Sequence, residues 1–414
     1  MQRRDYVKLL SAGSIASVAG CAGSDGDSGS DGGSNGGDSG SDSGGNGGSD
    51  GGSDDPITIA AIEPQSGPFA PWATVHLRGL ELAVEEINAG DMLDRDLEIV
   101  VTDTGADPGE ADSAFRRHVE QDDAIAVTGA VSSDVGIRTS QTAEELQIPN
   151  LLHMSGTSEA LTRDTRYVFR TGWPPAQSHG RADAQYFAEN DVSSVGVVIA
   201  DYAWGRSIEA ALEEFTPDDI DLHIEAAPVG ASDFKPYLRQ MPDDVELMNF
   251  VGHPPGSVSA AVQMADLGME QDILGVDPPQ NVIVDTLGDR AGDVVTRHLA
   301  VPDTELFNDL GQRYGEAYDE PMYSYPPIGY MNGMMLAETI AEVGTGPADI
   351  AEYIRNGSFD MLYENPLEYT EWGEFENLII QYSQMTEGAP SYYPDAEYHL
   401  EVIGTSDPLP APEP

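Results

Sequence analysis

The pattern of apolar residues predicts strands and helices that alternate along the chain from Ile57 onward. The run "ITIAAI" (57–62) predicts a buried strand, and "LEIVVTDT" (97–104) predicts a second one. Between them, apolar side chains recur at helical spacing at Leu77, Leu80, Val84 and Ile87. Another helix is predicted after Pro108, with an inner face of Ala111, Ala114, Phe115 and Val119. This order of elements is typical of parallel sheets, in which a helix connects each strand to the next.

The alternation continues and is interrupted once, at "TGWPP" (171–175). Further strands are predicted at 124–130, "IPNLLHM" (148–154), 195–200, "LHIEAA" (222–227), 247–252 and "DILGV" (272–276). One helix between them is predicted to end near Gln147, and three others are predicted to span 177–189, 205–215 and 256–267. Because about 350 folded residues exceed one hydrophobic core, the sequence predicts two Rossmann-like α/β lobes, each with a parallel sheet and helices on both faces.

The first 21 residues, "MQRRDYVKLLSAGSIASVAGC", have the pattern of an export signal. Arg3 and Arg4 resemble a twin-arginine signal, and the segment after them is too short and too rich in small residues to span a bilayer. The run from Val18 to Cys21 resembles a lipobox, and Cys21 is the only cysteine of the chain, so it has no partner for an intramolecular disulfide. We therefore expect residues 1–21 to be a signal peptide and Cys21 to carry a lipid. An incidental cysteine in a flexible leader is the alternative.

Residues 22–55 are a predicted disordered linker. From Gly23 to Asp55 the chain contains only Gly, Ser, Asp and Asn, and such a composition cannot bury a core. A flexible chain of this length reaches roughly 30 Å. The lipid and the linker together predict a folded protein that is anchored to the extracellular face of the cell membrane and moves freely over it.

The net charge of the chain indicates the environment of the protein and excludes some classes of partner. The 414 residues include 73 acidic and 19 basic ones, and the formal net charge is -54. Such a charge repels nucleic acid and anionic membrane surfaces, and it destabilises a compact fold unless salt screens it. We therefore expect a protein from a hypersaline environment that binds no nucleic acid. A disordered acidic chain is the alternative, but the hydrophobic content of 40% argues against it outside the N-terminal segment.

Small hydroxylated residues follow two of the predicted strands. In "NLLHMSGTSEALT" (150–162), Thr157 and Ser158 stand at the predicted first turn of a helix, and Ser132 and Ser133 follow the strand at 124–130. Free backbone N–H groups and the helix dipole attract an anion at such positions. Ser and Thr are favoured as plain N-caps at the start of any helix, and this is the preferred interpretation for either site alone. Two such sites at neighbouring strand ends favour a shared carboxylate site.

Nine short stretches follow one another in a characteristic order and spacing. They are "SGPFAPW" (66–72), "LELAVEEINAGD" (80–91), "DTGADPGEA" (103–111), "GAVSSDVG" (129–136), "MSGTSEALT" (154–162), "DYAWG" (201–205), "DFKPYLRQM" (233–241), "MADLGM" (264–269) and "LGVDPPQN" (274–281). On these stretches the chain from Ile57 to about Ile403 resembles the substrate-binding proteins of ABC importers for branched-chain amino acids, which have the type I periplasmic-binding fold.

The resemblance implies a set of ligand-binding residues. A serine at the position of Ser133 and a threonine at that of Thr157 hold the α-carboxylate of the ligand in this family, helped by backbone near Ser155. An acid at the position of Asp277 receives the α-ammonium from the other lobe. A turn residue before two prolines is the alternative for Asp277. The charges agree with this assignment, since a zwitterion buried between two lobes needs a partner for each charge.

The resemblance also places aromatic side chains at the positions of Trp72 and Trp204, against the ligand from its two sides. This sequence has tryptophan where tyrosine is common, Ala73 in place of a frequent glycine, and an aspartate at 277 where glutamate is often seen. These differences change the shape of the side-chain pocket. A simple core position is the alternative for both tryptophans.

The family's crossovers divide the chain between the lobes. We expect lobe 1 to comprise 56–174 plus 304–367, and lobe 2 to comprise 175–303 plus 368–405. Residues 406–414, "SDPLPAPEP", are a predicted disordered tail.

The competing function classes differ in the residues that they require. An enzyme would need a nucleophile or a metal constellation, and the sequence has no His-Glu-x-x-His, no cysteine pair, no Gly-x-Ser-x-Gly elbow after a strand and only scattered histidines. The resemblance instead implies a binding protein, without cofactor or metal, that delivers a branched-chain or related amino acid to the permease and ATPase subunits of an importer. A binder of urea or a short amide is the main alternative, for which Asp277 would have little use. A ligand-sensing lobe would need a following transmembrane segment, and we expect none.

Overall fold

The described part of the chain, residues 55–252 and 256–413 of a computed structural model, consists of two sheets flanked by helices. The predicted signal peptide, Cys21 and all of the linker except Asp55 lie outside the described residues. In the described part, no helix is both long enough and apolar enough to cross a membrane. The α/β fold class that the sequence predicts is confirmed.

The first sheet has five parallel strands in the order β2-β1-β3-β4-β5. Its strands are β1 Ile57–Glu63, β2 Leu97–Asp103, β3 Ala126–Gly129, β4 Asn150–Leu152 and β5 Val168–Arg170. The connecting helices are α1 Ala70–Ala89, α2 Pro108–Gln121 and α3 Ser133–Leu146. Every residue of β1 is buried, as expected of a central strand that is covered on both faces.

The second sheet has seven strands in the order β12-β11-β10-β9-β8-β6-β7. Its strands are β6 Ser194–Ala200, β7 Asp221–Ala227, β8 Leu247–Val251, β9 Asp272–Leu274, β10 Val294–His298, β11 Gln381–Glu387 and β12 Tyr398–Thr405. Helix α4 Ala176–Glu189 leads into β6, and the helices between the parallel strands are α5 Ala203–Phe215, α6 Lys235–Leu238, α7 Gly256–Leu267 and α8 Gln280–Leu287. Strands β11 and β12 are antiparallel and complete this sheet from the C-terminal part of the chain.

Three helices follow β10: α9 Glu305–Tyr318, α10 Pro326–Val343 and α11 Pro347–Asn356. Helix α10 packs closely against α1 of the first sheet. A Cβ atom at Gly79 would overlap the Pro326 carbonyl, and one at Gly329 would overlap the His76 carbonyl. The two glycines therefore let the backbones of α1 and α10 touch, and the late helix α10 belongs to the layer beside the first sheet. The position of α10 agrees with the prediction that residues 304–367 belong to lobe 1. The crossover positions themselves stay a prediction.

The C-terminal residues differ from the predicted disordered tail. The Ser406 N–H donates to the Ile380 carbonyl at 2.9 Å, and the Ile380 N–H donates to the Ser406 Oγ at 3.0 Å. Leu409 forms a bridge with Leu378 and is buried. The reason is that Leu409, an apolar residue of this segment, finds a hydrophobic site beside the start of β11.

Candidate ligand-binding site

Three of the predicted site residues lie at the carboxyl ends of the neighbouring strands β3 and β4. Ser133 is the first residue of α3, after the N-cap Ser132, while Ser155 and Thr157 follow β4. All three are buried, and Ser155 Oγ has no hydrogen-bond partner among the described residues. Strands β3 and β4 pair directly, so the sequence prediction that both hydroxylated segments share one edge of the sheet is confirmed.

The helix predicted to begin at Thr157 is only one 3-10 turn, Ser158–Ala160. Thr157 is its N-cap, and its Oγ1 accepts from the Glu159 N–H at 3.3 Å. The backbone returns to an extended conformation at Leu161. A single turn has almost no dipole, so an anion bound at this edge would gain dipole stabilisation from the 14-residue helix α3 rather than from the turn.

Arg170 fixes the shape of the loop that carries Ser155 and Thr157. Its guanidinium donates through Nη1 to the Ser155 carbonyl and through Nη2 to the Thr157 carbonyl, the latter at 3.2 Å. Its Nε lies 2.9 and 3.0 Å from the two carboxylate oxygens of Glu374. Arg170 and Glu374 are both buried, so each charged group needs the other as its counter-charge. Sequence reasoning missed both; the signal was a buried strand, "VFR", that ends in arginine.

Trp72 and Trp204, the two predicted aromatic residues, join one buried cluster of rings. Trp204 packs edge-on against Trp173, with centroids 6.2 Å apart, and a Cβ atom at Gly156 would overlap both indoles. Trp173 stacks on Tyr325 at 6.1 Å, and the Trp72 indole lies near the Tyr325 hydroxyl. The cluster therefore connects the loop after β4 with α5 of the second sheet. The structure brings both predicted tryptophans to the boundary between the lobes.

Asp277 lies on the other side of this cluster, in the loop after β9. The Tyr325 hydroxyl donates to the Asp277 carbonyl oxygen at 2.7 Å. The Asp277 carboxylate pairs with Arg297 of β10, through Nη2 to Oδ2 at 2.6 Å and through Nε to Oδ1 at 3.3 Å. The sequence analysis named only the ligand ammonium as a partner of Asp277, and Arg297 is a second one.

Arg297 also pairs with a second buried carboxylate, Asp183 of α4. Asp183 Oδ2 accepts from Asn249 Nδ2 at 2.9 Å. Burial raises the pKa of both aspartates, and Arg297 offsets only part of this rise. Burial, and next the charge of Arg297, hold the pKa of the nearby His179 well below its usual range, so this imidazole is neutral. With both acids ionised, the network carries one negative charge more than it has positive charges.

Comparison with known proteins agrees with this architecture. A family model described as periplasmic binding protein matches residues 56–376. The chain belongs to this family. The type I fold predicted from the sequence is confirmed, since the structure is similar to solved structures of such proteins. Membership implies a small-molecule ligand, a location outside the cytoplasm and a partner importer, and it is consistent with a protein that is not an enzyme.

The relatives of this periplasmic binding protein have names that point to different ligands. The leucine-, isoleucine-, valine-, threonine- and alanine-binding protein of Pseudomonas aeruginosa is 24% identical over 336 residues, which are 78% of this chain and 88% of the relative. LivJ of Streptococcus pneumoniae, solved with isoleucine, has a TM-score of 0.71 at 19% identity and covers 84% of this chain and 100% of its own. A solute-binding protein of Rhodopseudomonas palustris BisB5, solved with 3,4-dihydroxybenzoic acid, has a TM-score of 0.74 at 19% identity. The match covers 86% of this chain and 98% of that protein.

At the carboxyl ends of the strands in the first sheet, this binding protein contains a second buried cluster of titratable side chains. The imidazoles of His76 and His153 are stacked 3.8 Å apart, 12° from parallel, and both contact the buried Glu63 carboxylate at 2.9 to 3.0 Å. Burial alone raises the pKa of Glu63, but the two histidines lower it to about 2. Burial, and next the charge of His153, lower the pKa of His76 to about 4. The sequence analysis described the histidines as scattered, and the fold brings these two together.

Glu63, His76 and His153 are of the residue types that bind zinc, and their ligand atoms lie within 4.8 Å of one another. A metal binds in the plane of an imidazole ring, along the nitrogen lone pair. Two parallel rings that are stacked face to face therefore cannot both direct a lone pair at one ion. Of the two rings, only that of His153 is hydrogen-bonded to Glu63, through Nε2 to Oε2 at 3.2 Å, and His76 Nε2 lies 3.1 Å from Asn332 Nδ2.

Proposed function

We propose that the protein is the extracytoplasmic substrate-binding component of an ABC importer, which holds a branched-chain or related amino acid between its lobes and delivers it to the permease. The observation that carries this proposal is the pairing of two buried surfaces across the aromatic cluster. One is the hydroxyl-lined edge of β3 and β4, and the other is the network of two carboxylates and one guanidinium around Asp277.

The hydroxyl-lined edge would bind the α-carboxylate of the ligand. The Ser133 and Thr157 hydroxyls, the backbone near Ser155 and the N-terminus of α3 supply donors there. Arg170 holds the carbonyls of Ser155 and Thr157 from behind, so these acceptors are already occupied and do not compete for the site. A carboxylate bound at this edge would therefore meet donors rather than carbonyl oxygens.

The acidic network would bind the α-ammonium. Arg297 neutralises one carboxylate, and the pair Asp183 and Asp277 provides two. A buried charge without a counter-charge costs several kcal/mol, so the network favours either a proton or a cationic group from a ligand. A ligand ammonium next to Asp277 would complete the network, and Trp72, Trp204 and their neighbours would enclose the apolar side chain.

An aromatic carboxylate is the second candidate. Four aromatic side chains meet at the lobe boundary (Trp72, Trp173, Trp204 and Tyr325), and Asp277 already has a partner in Arg297. The related protein solved with 3,4-dihydroxybenzoic acid has the same fold. Such a ligand would use the hydroxyl-lined edge without placing a cation at the acidic network.

A ligand screen by calorimetry in molar NaCl distinguishes these candidates. We expect leucine, isoleucine or valine to bind, and we expect neither leucinamide nor 4-methylpentanoate, the deaminated analogue of leucine, to bind. Binding of benzoate or 4-hydroxybenzoate in place of every amino acid would overturn the amino-acid proposal in favour of the aromatic carboxylate. Binding of amides or urea alone would contradict both.

We also propose that the protein is anchored to the membrane by a lipid on Cys21, which lies outside the described residues. The sequence pattern before Cys21 supports this assignment. Replacement of Cys21→Ser should move the protein from the membrane fraction into the medium while its melting temperature stays the same. Continued association of the variant with membranes, resistant to high-salt washing, would contradict the anchor.

A further inference from the structure

The side chains of Thr157 and Ser207 connect the two lobes by a hydrogen bond. Their hydroxyl oxygens are 3.0 Å apart. Thr157 belongs to the loop after β4 and is fully buried, whereas Ser207 lies in the second turn of α5 and is partly exposed. One turn before Ser207, the Trp204 indole packs over the backbone of Gly156. Helix α5 therefore meets the loop after β4 at two neighbouring points, one polar and one apolar.

The hydrogen-bonding capacity of Thr157 limits the roles of these two hydroxyls. A threonine hydroxyl has one hydrogen to donate and two lone pairs to accept with. One lone pair of Thr157 Oγ1 accepts from the Glu159 N–H. If the single Thr157 hydrogen pointed at Ser207, none would remain for a ligand. If the Ser207 hydrogen points at Thr157, the Thr157 hydrogen is free to be donated.

We propose that Ser207 is a positioning residue for the ligand carboxylate: it donates to Thr157 Oγ1 and thereby directs the Thr157 hydrogen toward the ligand. This inference rests on the proposed function, in which Thr157 binds a carboxylate. The result is a chain of hydrogen bonds from Ser207 through Thr157 to the carboxylate. Each bond in such a chain polarises the next, so the terminal bond to the anion is strengthened.

The chain of hydrogen bonds gives lobe 2 a part in holding the anion. Ser133, Ser155 and Thr157 follow strands of the first sheet, and Ser207 follows a strand of the second. Ser207 reaches Thr157 only when α5 lies against the loop after β4. A bound carboxylate therefore stabilises the contact between the lobes, because it needs the Thr157 hydrogen that Ser207 orients. Closure is thus coupled to the anionic end of the ligand as well as to its cationic end.

The test compares Ser207→Ala with wild type by calorimetry and stopped-flow dissociation in molar NaCl, using leucine or whichever carboxylate ligand the screen identifies. We expect the dissociation constant to rise about three- to tenfold, the range for one net hydrogen bond, mainly through faster dissociation. Ser207→Thr keeps the hydroxyl and should retain most of the affinity. Ser259→Ala, another partly exposed serine on a helix of the second sheet, is the matched control and should change nothing.

A double-mutant cycle separates positioning from packing. Thr157→Val removes the hydroxyl at constant shape, and in that background Ser207→Ala should have no further effect on affinity. An unchanged affinity of Ser207→Ala beside a weakened Thr157→Val would overturn the role of Ser207 and leave the proposed function intact. Equal losses from Ser207→Ala in both backgrounds would also overturn it, because Ser207 would then act independently of Thr157. A wild-type protein that binds only ligands without a carboxylate would overturn both proposals.

Discussion

Arg297 and Asp277 form a buried ion pair, with Nη2 2.6 Å from Oδ2 and Nε 3.3 Å from Oδ1. Arg297 does not fully neutralise the Asp277 carboxylate, because the same guanidinium also pairs with Asp183. The acid that faces the lobe boundary is thus held in position by a guanidinium, and with both acids ionised it belongs to a network with a net negative charge.

The shared guanidinium predicts unequal effects of substitutions in this network. Arg297→Gln would leave two buried carboxylates without a counter-charge and should lower the free energy of unfolding by about 3 to 5 kcal/mol. Asp277→Asn would leave the neutral pair of Arg297 and Asp183, so it should cost much less stability. The same variant should weaken amino-acid binding by about 2 to 5 kcal/mol, because the ligand ammonium loses its counter-charge.

Guanidinium unfolding and calorimetry, both in molar NaCl, measure these two effects. Asp183→Asn is the matched control, since it makes the same change of charge at the other carboxylate of the network. If Asp277→Asn and Arg297→Gln proved equally destabilising, the sharing of Arg297 between two acids would be disproved. Normal leucine binding by Asp277→Asn would show that Asp277 does not bind the ammonium group of the ligand.

The ion pair of Arg170 and Glu374 should matter for both stability and ligand affinity. Glu374→Gln leaves the buried guanidinium without its anion, and the expected loss of stability is about 3 to 5 kcal/mol. The loop after β4 should loosen at the same time, because Arg170 holds the carbonyls of Ser155 and Thr157. Chemical unfolding and ligand titration of the variant measure both losses.

An exposed ion pair of the same charge types provides the control for Glu374→Gln. Arg163 and Glu413 form a pair in which the side chains are 65% and 73% exposed. Glu413→Gln should change the stability by only about 0 to 1 kcal/mol. A similar small effect of Glu374→Gln would mean that the buried pair contributes no more than the exposed one.

Stability should fall in acid in two steps. The pKa of His76 is lowered from 6.5 to about 4, and that of His298 is lowered likewise by burial. Between these values the unfolded chain protonates these histidines and the folded protein does not, so their contribution to the free energy of unfolding is lost as the pH falls from 6.5 to 4. The raised pKa values of Asp183 and Asp277 act in the opposite direction. The pKa of Glu63 is lowered from 4.5 to about 2, so its contribution is complete above pH 4.5 and is lost toward pH 2.

Unfolding titrations at pH 7.5, 5.5, 4 and 3 in molar NaCl test this pH dependence. His298→Gln should make the slope between pH 6.5 and 4 shallower and leave the lower step unchanged, because His298 is separate from Glu63. A slope between pH 6.5 and 4 that is the same in wild type and in His298→Gln would show that His298 is as easily protonated in the folded protein as in the unfolded chain.

Salt should stabilise the folded protein. With a formal net charge of -54, the exposed acids repel one another, and the screening length is about 3 Å at 1 M salt but about 30 Å at 0.01 M. We therefore expect the melting temperature to fall steadily as NaCl is lowered from molar to tens of millimolar. KCl at equal ionic strength should give the same curve, and a flat response would indicate that the acids are locally paired.

The order of strands and helices could be predicted because it follows from local patterns. The predicted helix at 256–267 coincides with α7, and the predicted strand at 195–200 differs from β6 by one residue. Each of these depends on apolar spacing within a short window. A helix was expected after Thr157 and the structure has a single 3-10 turn there, because the hydroxylated residues that cap a helix also cap a single turn.

The charged partners at the site could not be predicted from such windows. Arg170 meets Glu374 at a separation of 204 residues, and Arg297 meets Asp183 at a separation of 114. Nothing local to Asp277 indicates that a strand 20 residues later will supply its counter-ion. Hydrophobic spacing identifies the elements, but the pairing of buried charges depends on which faces of distant elements meet.

The position of α10 and of strands β11 and β12 has a consequence for synthesis of the chain. Helix α1 packs against α10, which begins at Pro326, and the second sheet lacks two of its seven strands until residues 381–405 have been made. A growing chain that ends before residue 326 therefore exposes the apolar face of α1 and an unpaired edge of β10. The first sheet therefore stays uncovered until α10 has been made, and the second sheet stays incomplete until β12 has been made, so each lobe needs protection from aggregation until then.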